Sequence, residues 1–485
     1  MEEAAAGEKL DVVLFPWLAF GHLIPYLELA KRLAARGHAV TFVSTPRNVA
    51  RLPPVPAQLA PRLRLVALPP PAVEGLPEGA ESTADVPPEK NELIKKAVDG
   101  LAAPFAAFLA DAVARGRRPD WIVIDFCHNW LPAIADEHGV PCAVFQIVPA
   151  AMVAFCGSRS ANAAHPRTTP EDFTVPPKWC ASFPSAIAYR RHEADWVAGM
   201  FNPNASGVSD MDRLWEITER TRFTIYRSSD EIDPAGAGVF ALLTDLYQKP
   251  AIPAGVLLQP ELDGRDDDES RSGARPEVLQ WLDSQPPKSV IYVALGSEAP
   301  LTASDLHELA LGLEVAGVRF LWAFRKPSGM SAPGTDVGEL LPTGFEDRTQ
   351  GHGLVWTGWV PQVRVLAHGA VGAFLTHCGW GSTIEGLVYG HPLVMLPFVV
   401  DQGLIARAMA ERRVGVEVAR DESDGSFGRD DVAAAVRRVM VEEEGKVFST
   451  NAKKLKQVLG DQRRQDQYMD ELEGYLTRYK DNNSS

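Results

Sequence analysis

Residues 377–383, His-Cys-Gly-Trp-Gly-Ser-Thr, have the side chains and spacing of an anion site. The apolar run Ala373 to Thr376 before them predicts a strand, and Ile384 to Gly390 resumes with helical spacing. A strand, a glycine-rich turn and a helix start are therefore expected. Amides at a helix start point outward with about half a positive charge behind them, so they can hold a diphosphate without a lysine. His377 and Ser382 would add hydrogen-bond donors.

Two other residues have the chemistry of a general base and its partner. His22 follows the first predicted strand, and Asp125 ends another. Ligands of open α/β sheets bind outside the carboxyl ends of strands, so both residues would face one cleft. Histidine takes a proton from a hydroxyl near neutral pH, and a carboxylate would hold its tautomer and stabilise the imidazolium. The alternatives are that His22 caps a helix beginning at Pro25 and that Asp125 forms a strand-end turn.

The elements that would position these residues alternate along the first half of the chain, which predicts a doubly wound parallel sheet. A first helix is expected from Pro25 to Gly37, and a long Ala- and Leu-rich helix from Glu89 to Arg115. The expected strands are residues 11–17, 39–45, 62–69, 121–125, 141–148 and 221–229.

Regularity fails between about Ala151 and Gly207, where prolines punctuate a segment rich in Trp, Phe, His and Arg. Long irregular segments in compact enzymes tend to be functional, so acceptor-side loops and short helices are expected here, with a structural insertion as the alternative. The charged residues 262–275 predict a solvated linker. Asp266 to Asp268 inside it could suggest a metal site, but no apolar strand positions them.

The second half alternates in the same way. It begins with a buried strand and a glycine turn at residues 289–298, followed by a helix at 301–317. The segment 466–480 is amphipathic and predicts a last helix. The chain is therefore expected to contain a first domain, a linker, a second domain, and a C-terminal helix with a disordered tail: residues 1–258, 259–275, 276–460 and 461–485.

Composition limits the class of protein. With 485 residues and 46% hydrophobic content, the chain can bury large cores. Its net charge of −15 argues against nucleic-acid or anionic-membrane partners. An acidic N-terminal segment without a basic region does not predict a secretory signal, and no membrane span is expected. The five cysteines lack metal-type spacing and favour a reducing compartment, so a cytoplasmic location is expected.

Residues 359–402 as a whole resemble the C-terminal signature box of the plant family-1 UDP-glycosyltransferases. The matching residues are Trp359, Pro361, Gln362, His377, Gly379, Trp380, Ser382, Glu385, Gly386, Pro392, Pro397, Asp401 and Gln402. The resemblance extends over essentially the whole chain. It implies an α/β fold of two facing Rossmann-like, doubly wound domains, called GT-B, with the C-terminal helix crossing back to the N-terminal domain.

The resemblance also implies a donor site. Trp359 would stack on uracil, Gln362 and Glu385 would hold the ribose, and His377 and Ser382 would hold the phosphates. An indole face is worth about 1–3 kcal/mol against a base. The donor-binding residues implied are Ser297, Trp359, Val360, Gln362, His377, Trp380, Gly381, Ser382, Glu385, Asp401 and Gln402.

Three residues of this set, Trp380, Asp401 and Gln402, are implied to hold the sugar. Ser297 lies in the earlier glycine turn and would contact a phosphate or simply cap a helix. Gly381 departs from the family pattern, because the box usually has asparagine there. One side-chain phosphate donor is therefore missing, and space is opened beside the donor.

The implied reaction is a direct displacement that inverts the sugar, with His22 and Asp125 as the catalytic pair. Gln402 is linked by the resemblance with glucose, so UDP-glucose is the expected co-substrate, without cofactor or metal. The N-terminal segments and the substituted box most resemble branch-forming enzymes, which glycosylate a sugar already present on steviol or flavonoid glycosides. The expected acceptor is thus a small-molecule glycoside of plant secondary metabolism, and the expected linkage is to the 2-hydroxyl of its glucose. The acceptor-binding residues expected are Phe20, Glu298, Phe126 and Trp196.

Several alternatives remain open. UDP-rhamnose could replace UDP-glucose, and free aglycones could be the acceptors. A nicotinamide dehydrogenase would share the sheets, but residues 15–25 lack the GxGxxG turn after the first strand. A non-catalytic nucleotide-sugar binding protein would keep the box without needing His22 and Asp125. A monomer is expected.

Overall fold

The structure is a computed structural model, and it describes residues 8–180, 188–236, 238–258, 276–296, 299–325 and 340–481. The chain divides into two compact units. The first comprises Met1–Pro166, Gly199–Leu257 and Gln462–Ser485, and the second comprises Arg167–Ala198 and Leu258–Asp461. The expected linker, 259–275, lies outside the described residues.

A seven-stranded parallel sheet, counted over the described residues, forms the centre of the first unit, in the order β3-β2-β1-β4-β5-β6-β7. Several of its strands are buried on both faces, which explains why they read as nearly continuous apolar runs. The strands are β1 Asp11–Phe15, β2 Ala39–Ser44, β3 Leu63–Ala67, β4 Trp121–Ile124, β5 Cys142–Gln146, β6 Thr224–Tyr226 and β7 Ala251–Pro253.

The described part of the second unit has a six-stranded parallel sheet in the order β10-β9-β8-β11-β12-β13. Its central strands β8 and β11 are almost wholly buried. The strands are β8 Val290–Ala294, β9 Arg319–Ala323, β10 Gly353–Trp356, β11 Val371–Thr376, β12 Leu393–Met395 and β13 Gly415–Glu417.

Helices connect the strands in both units. Through the first half of the chain, the α-helices are Phe20–Ala35, Pro46–Arg51, Asn91–Asp99, Ala102–Ala114, Leu131–Glu137, Ala150–Cys156, Arg159–Ala164, Arg191–Gly199, Asp210–Arg220 and Val239–Tyr247. Those that follow are Glu277–Asp283, Ala303–Ala316, Phe345–Thr349, Gln362–Ala367, Trp380–Val388, Gln402–Glu411, Arg429–Met440, Glu444–Leu459 and Gln462–Arg478.

Each sheet reverses its strand order once near its middle. The reversal lies between β1 and β4 in the first unit and between β8 and β11 in the second. Such switch points open a crevice at the strands' carboxyl ends, where open α/β sheets bind ligands. Asp125 directly follows β4, and His377 directly follows β11, so the predicted chemistry lies at these two points.

The last helix, Gln462–Arg478, packs on the core of the first unit. Met469, Leu472 and Leu476 are fully buried there, and each such burial stabilises by about 1.5–3 kcal/mol. The indole of Trp121 donates a hydrogen bond to the carbonyl of Leu476 at 2.8 Å. The amphipathic segment 466–480 is therefore helical and buries apolar residues on the first unit, as its pattern predicted.

The expected long helix 89–115 is two helices, Asn91–Asp99 and Ala102–Ala114. A Cβ atom at Gly100 would lie 2.2 Å from the Pro71 ring, so this tertiary contact requires glycine at the break. By length and composition alone, Pro88–Ala114 could cross a membrane. One such segment is weak evidence for a span, and Phe105 and Leu109 on it are buried in the first unit's core.

The sequence placed residues 167–198 in the first domain, whereas the structure groups Arg167–Ala198 with the second unit. Two ion pairs hold the segment there, Arg407 with Glu193 at 2.6 Å and Arg190 with Glu417 at 3.2 Å. These partners are 214 and 227 residues apart, which is beyond the reach of a local sequence pattern.

Candidate active site

The described structure brings His22 and Asp125 together in the first unit. His22 Nδ1 lies 2.7 Å from Asp125 Oδ2, with side-chain exposures of 18% and 1%. When the Nδ1 N–H donates a hydrogen bond to the carboxylate, Nε2 is the unprotonated, basic nitrogen. The pair therefore has the geometry of an oriented general base.

The Asp125 carboxylate is fixed by the backbone around it. Its Oδ2 also accepts from the Trp17 amide at 2.9 Å, and its Oδ1 accepts from the Phe126 amide at 2.8 Å. His22 lies in the first turn of the helix Phe20–Ala35, whose N-cap is Ala19. His22 is thus not a helix cap, while Asp125 both organises its turn and orients the imidazole.

Aromatic side chains border this pair. The Phe126 ring lies 5.8 Å from the His22 ring and 5.7 Å from the Trp17 ring. Phe20 is partly buried and packs against the first unit's core at the start of the same helix as His22. Phe20 and Phe126 can therefore offer apolar surface near the base.

The expected acceptor residue Trp196 lies in a different unit from this pair. Trp196 is 41% exposed and belongs to the segment grouped with the second unit. Glu298 lies outside the described residues, as does the expected donor residue Ser297.

A second histidine beside the pair was missed in the sequence. His128 is fully buried, and its ring lies 4.4 Å from the Phe15 ring. Burial lowers the pKa of His128 to about 4, so the imidazole is neutral near pH 7. No periodic signal distinguishes this histidine from the loop residues around it, because its burial arises from tertiary packing.

In the second unit, the predicted strand, turn and helix start are present. β11 ends at Thr376, and the helix Trp380–Val388 begins with Gly379 as its N-cap. The first amides of a helix have no intrahelical acceptor, so they are available to an anion. Ser382 lies in this first turn and is partly buried.

The His377 ring is wedged between two glycines. A Cβ atom would lie 2.5 Å from its Nε2 at Gly379 and 2.8 Å at Gly296, where φ is +73°. Burial lowers the pKa of His377 to about 4. It would therefore meet a diphosphate as a neutral hydrogen-bond donor, and the positive potential must come from the helix start.

A short hydrogen-bond chain forms the expected ribose site. Gln362 Nε2 donates to Glu385 Oε2 at 2.7 Å, and the Tyr292 hydroxyl donates to Gln362 Oε1 at 3.3 Å. Tyr292 is itself stacked on Phe374, with ring centroids 5.2 Å apart. The chain holds the amide and carboxylate in place, ready to contact vicinal hydroxyls.

Trp359 is 69% exposed, although tryptophan is usually largely buried. The Trp356 indole donates to the Trp359 carbonyl at 3.3 Å, which fixes its backbone. Val360 beside it is partly buried. An open indole on a fixed backbone suits stacking against a base.

The expected sugar residues are largely buried. Asp401 and Gln402 are 6% and 8% exposed, and Gln402 Oε1 accepts from the amides of Phe398 and Val399 at 2.8 and 3.1 Å. Its oxygen is therefore engaged, and its amide nitrogen is the group left to donate. Val400, which lies between Val399 and Asp401, has φ +56°, a costly conformation for a β-branched residue.

Trp380 and Gly381 are the first two residues of the helix Trp380–Val388. Trp380 is 3% exposed, and its contact with the sugar stays a prediction. Gly381 is partly buried and supplies no side-chain donor. Within the described ranges, no cluster of three or more His, Cys, Asp or Glu residues could hold a metal ion.

Comparison with known proteins places this geometry in context. A family model described as UDP-glucoronosyl and UDP-glucosyl transferase matches residues 252–467. UDP-glycosyltransferase 91D1 of Stevia rebaudiana is 41% identical over 474 residues, which cover 97% of this chain and 93% of that protein. Soyasaponin III rhamnosyltransferase of Glycine max is 37% identical over 493 residues, which cover 98% and 96%.

Solved structures show the same likeness. The structure of Os79 from O. sativa in complex with U2F and trichothecene has a TM-score of 0.76 and 25% sequence identity, covering 96% of this chain and 100% of that one. Both sheets of this chain therefore have counterparts in a solved protein.

Proposed function

Because this chain belongs to the plant family-1 UDP-glycosyltransferases, we propose that it transfers glucose from UDP-glucose, with inversion, to a hydroxyl of a small-molecule glycoside. The family membership and the GT-B fold with two Rossmann-like domains, both expected from the sequence, are confirmed. The chain is an enzyme that uses a UDP-sugar donor and a small-molecule acceptor.

The contact between His22 and Asp125, 2.7 Å long, is the observation that carries the proposed mechanism. His22 Nε2 takes the proton of the acceptor hydroxyl while its oxygen attacks the anomeric carbon. The bond from that carbon to the diphosphate breaks, and UDP leaves with the electron pair. Asp125 stabilises the imidazolium that forms, and such base catalysis contributes about 10² to 10⁴ in rate.

The leaving diphosphate is proposed to lie at the start of the helix Trp380–Val388. Its amides, Ser382 and neutral His377 would donate to the phosphate oxygens, so the reaction is expected to need no metal or other cofactor. Trp359 would cover uracil, and the bonded pair Gln362 and Glu385 would hold the ribose. Activity in EDTA tests the metal part, and loss restored by Mg²⁺ would refute it.

Glucose is proposed because the resemblance to the family links Gln402 with glucose, and its amide nitrogen can donate to a sugar hydroxyl while its oxygen is bonded to the turn. UDP-rhamnose is the second candidate, since the chain is 37% identical to a protein named as a rhamnosyltransferase. A competition assay with equal UDP-glucose and UDP-rhamnose distinguishes them. Strong preference for UDP-rhamnose would overturn the choice of glucose.

The acceptor is proposed to be a steviol or flavonoid glycoside, glucosylated on the 2-hydroxyl of an existing glucose. Gly381 supports a bulky, polar acceptor because it removes a side chain beside the donor. The hydrogen bond lost with the usual asparagine would cost about 0.5–1.5 kcal/mol. Direct transfer to free aglycones is the alternative acceptor class.

A mass-spectrometric screen tests this acceptor proposal. Phenolic and terpenoid compounds, with and without attached sugars, are incubated with each UDP-sugar. Glycosides are expected to turn over far faster than their aglycones. Equal rates would refute the branch-forming proposal while leaving sugar transfer intact. We further propose a cytoplasmic monomer, and the location is supported by the five cysteines, all of which are described, buried and outside any disulfide.

A further inference from the structure

A buried carboxylate outside the catalytic pair lies directly against the helix Gln402–Glu411, which begins at an expected sugar residue. Glu193 is 5% exposed and comes from the helix Arg191–Gly199, in the segment grouped with the second unit. Its Oε2 accepts from Arg407 Nη2 at 2.6 Å and from the Arg190 amide at 2.8 Å. The carboxylate is thus fixed from both sides.

Gly403 provides the surface on which this carboxylate lies. A Cβ atom at Gly403 would be 2.4 Å from Glu193 Oε1 and 2.5 Å from its Oε2, so even a methyl group would displace it. Gly403 is the second residue of the helix Gln402–Glu411, and Arg407 lies four residues on, along the same face. Glycine is a poor helix residue, so this position fits a requirement for close approach.

A second set of contacts keeps the segment in register. Arg407 Nε donates to the Ala188 carbonyl at 2.8 Å, and Arg190 Nη2 donates to Glu417 at the end of β13 at 3.2 Å. The segment is therefore attached both to the helix and to the neighbouring strand. Movement of Glu193 would be transmitted to the helix start instead of being absorbed by a loose loop.

The start of this helix carries two of the three residues expected to hold the donor sugar, Asp401 as its N-cap and Gln402 as its first residue. Gln402 Oε1 accepts hydrogen bonds from the amides of Phe398 and Val399. Glu193 packs on Gly403, the next residue along the helix. Glu193 therefore lies against the residue that follows Asp401 and Gln402, although it comes more than 200 residues earlier in the sequence.

We propose that Glu193 is a positioning residue that sets the recognition of the donor's sugar by fixing Asp401 and Gln402 through Gly403. This inference rests on the proposed function. Since Glu193 belongs to the irregular segment expected to serve the acceptor, it couples that segment to the sugar end of the donor. UDP lacks the sugar, so its binding should not depend on Glu193.

The test compares the binding of UDP-glucose and of UDP by calorimetry in the full-length protein. Two variants act on the contact from opposite sides: Glu193→Gln removes the charge, and Gly403→Ala displaces the carboxylate while keeping both charges. Asp195→Asn is the matched control, because Asp195 pairs with Arg191 at 2.9 Å on the exposed face of the same helix.

Both test variants are expected to weaken the binding of UDP-glucose by about tenfold, as for the loss of one hydrogen bond between Gln402 and the sugar. The affinity for UDP should stay within twofold of the wild-type value. The differences in affinity among UDP-glucose, UDP-galactose and UDP-xylose should become smaller. The control should change neither affinity. Equal weakening of UDP and UDP-glucose, or an unchanged ratio in either folded variant, would overturn the proposal.

The outcome is separable from the proposed function. If wild-type protein binds neither UDP nor UDP-glucose, the proposed function fails before the variants are compared. If wild-type protein binds both and the variants retain the wild-type ratio of affinities, the role of Glu193 fails alone. If one variant does not fold, the other still decides, because each disturbs the same contact by a different change.

Discussion

Replacing Asp125 by asparagine probes the proposed base most sharply, because the carboxylate serves three donors at once. Oδ2 accepts from His22 and Trp17, and Oδ1 accepts from Phe126. An amide has one accepting oxygen, so in either orientation its NH₂ group opposes at least one of these N–H groups. The negative charge that stabilises the imidazolium is lost in both cases.

The magnitudes follow from these contacts. An unsatisfied buried donor costs about 1–3 kcal/mol of stability, and the free energy of unfolding of Asp125→Asn should fall by that amount. With the imidazolium no longer stabilised, kcat should fall by about 10² to 10⁴. UDP affinity should be unchanged, because the residues expected to hold UDP lie in the second unit.

The assay is UDP release under saturating donor and acceptor, with UDP binding measured in parallel. Asp120→Asn is the matched control, since Asp120 Oδ2 accepts from the Asp11 amide at 2.8 Å just before β4 begins. The control should lose stability without a comparable loss of kcat. Wild-type kcat in folded Asp125→Asn, or an equal loss in Asp120→Asn, would refute the reasoning.

Three other variants test separate parts of the account. Gly379→Ala should push the His377 ring aside and lower the affinity for UDP by about tenfold, as for a lost hydrogen bond to a charged group. Calorimetry measures this affinity. Trp359→Ala should reduce the free energy of UDP binding by about 1–3 kcal/mol. His22→Ala is the control, and its UDP affinity should equal that of the wild-type protein in the same titration. The His128 pKa is lowered to about 4 in the folded state, so the unfolded chain binds a proton first as pH falls. The contribution of His128 to the free energy of unfolding should therefore decrease as the pH falls from about 6.5 to 4, by up to about 1.4 kcal/mol per pH unit. His128→Phe should make this pH dependence weaker, as measured by chemical denaturation.

The parallel sheets and the turn at 377–383 were predictable, because buried strands and a glycine-rich helix start leave local patterns. His22 and Asp125 were predictable as neighbours because both follow strands at a switch point. The sequence pattern could not show which of their atoms meet.

Tertiary contacts explain what the sequence left out or assigned differently. The break between two helices at Gly100 depends on the Pro71 ring, and the burial of Trp380 depends on packing around the helix Trp380–Val388. The placement of Arg167–Ala198 depends on partners such as Arg407 far along the chain. None of these contacts has a periodicity that a local window of sequence could detect.

The role of His22 as the base in glucosyl transfer is tested most directly by product formation. Wild-type protein and His22→Ala are each incubated with UDP-glucose and a flavonoid or steviol glucoside. Wild type is expected to release UDP and form a product with inverted, β-linked glucose, identified by mass spectrometry and NMR. His22→Ala should bind UDP normally and form product at least about 10² times more slowly. Wild-type turnover in folded His22→Ala would contradict the proposed base.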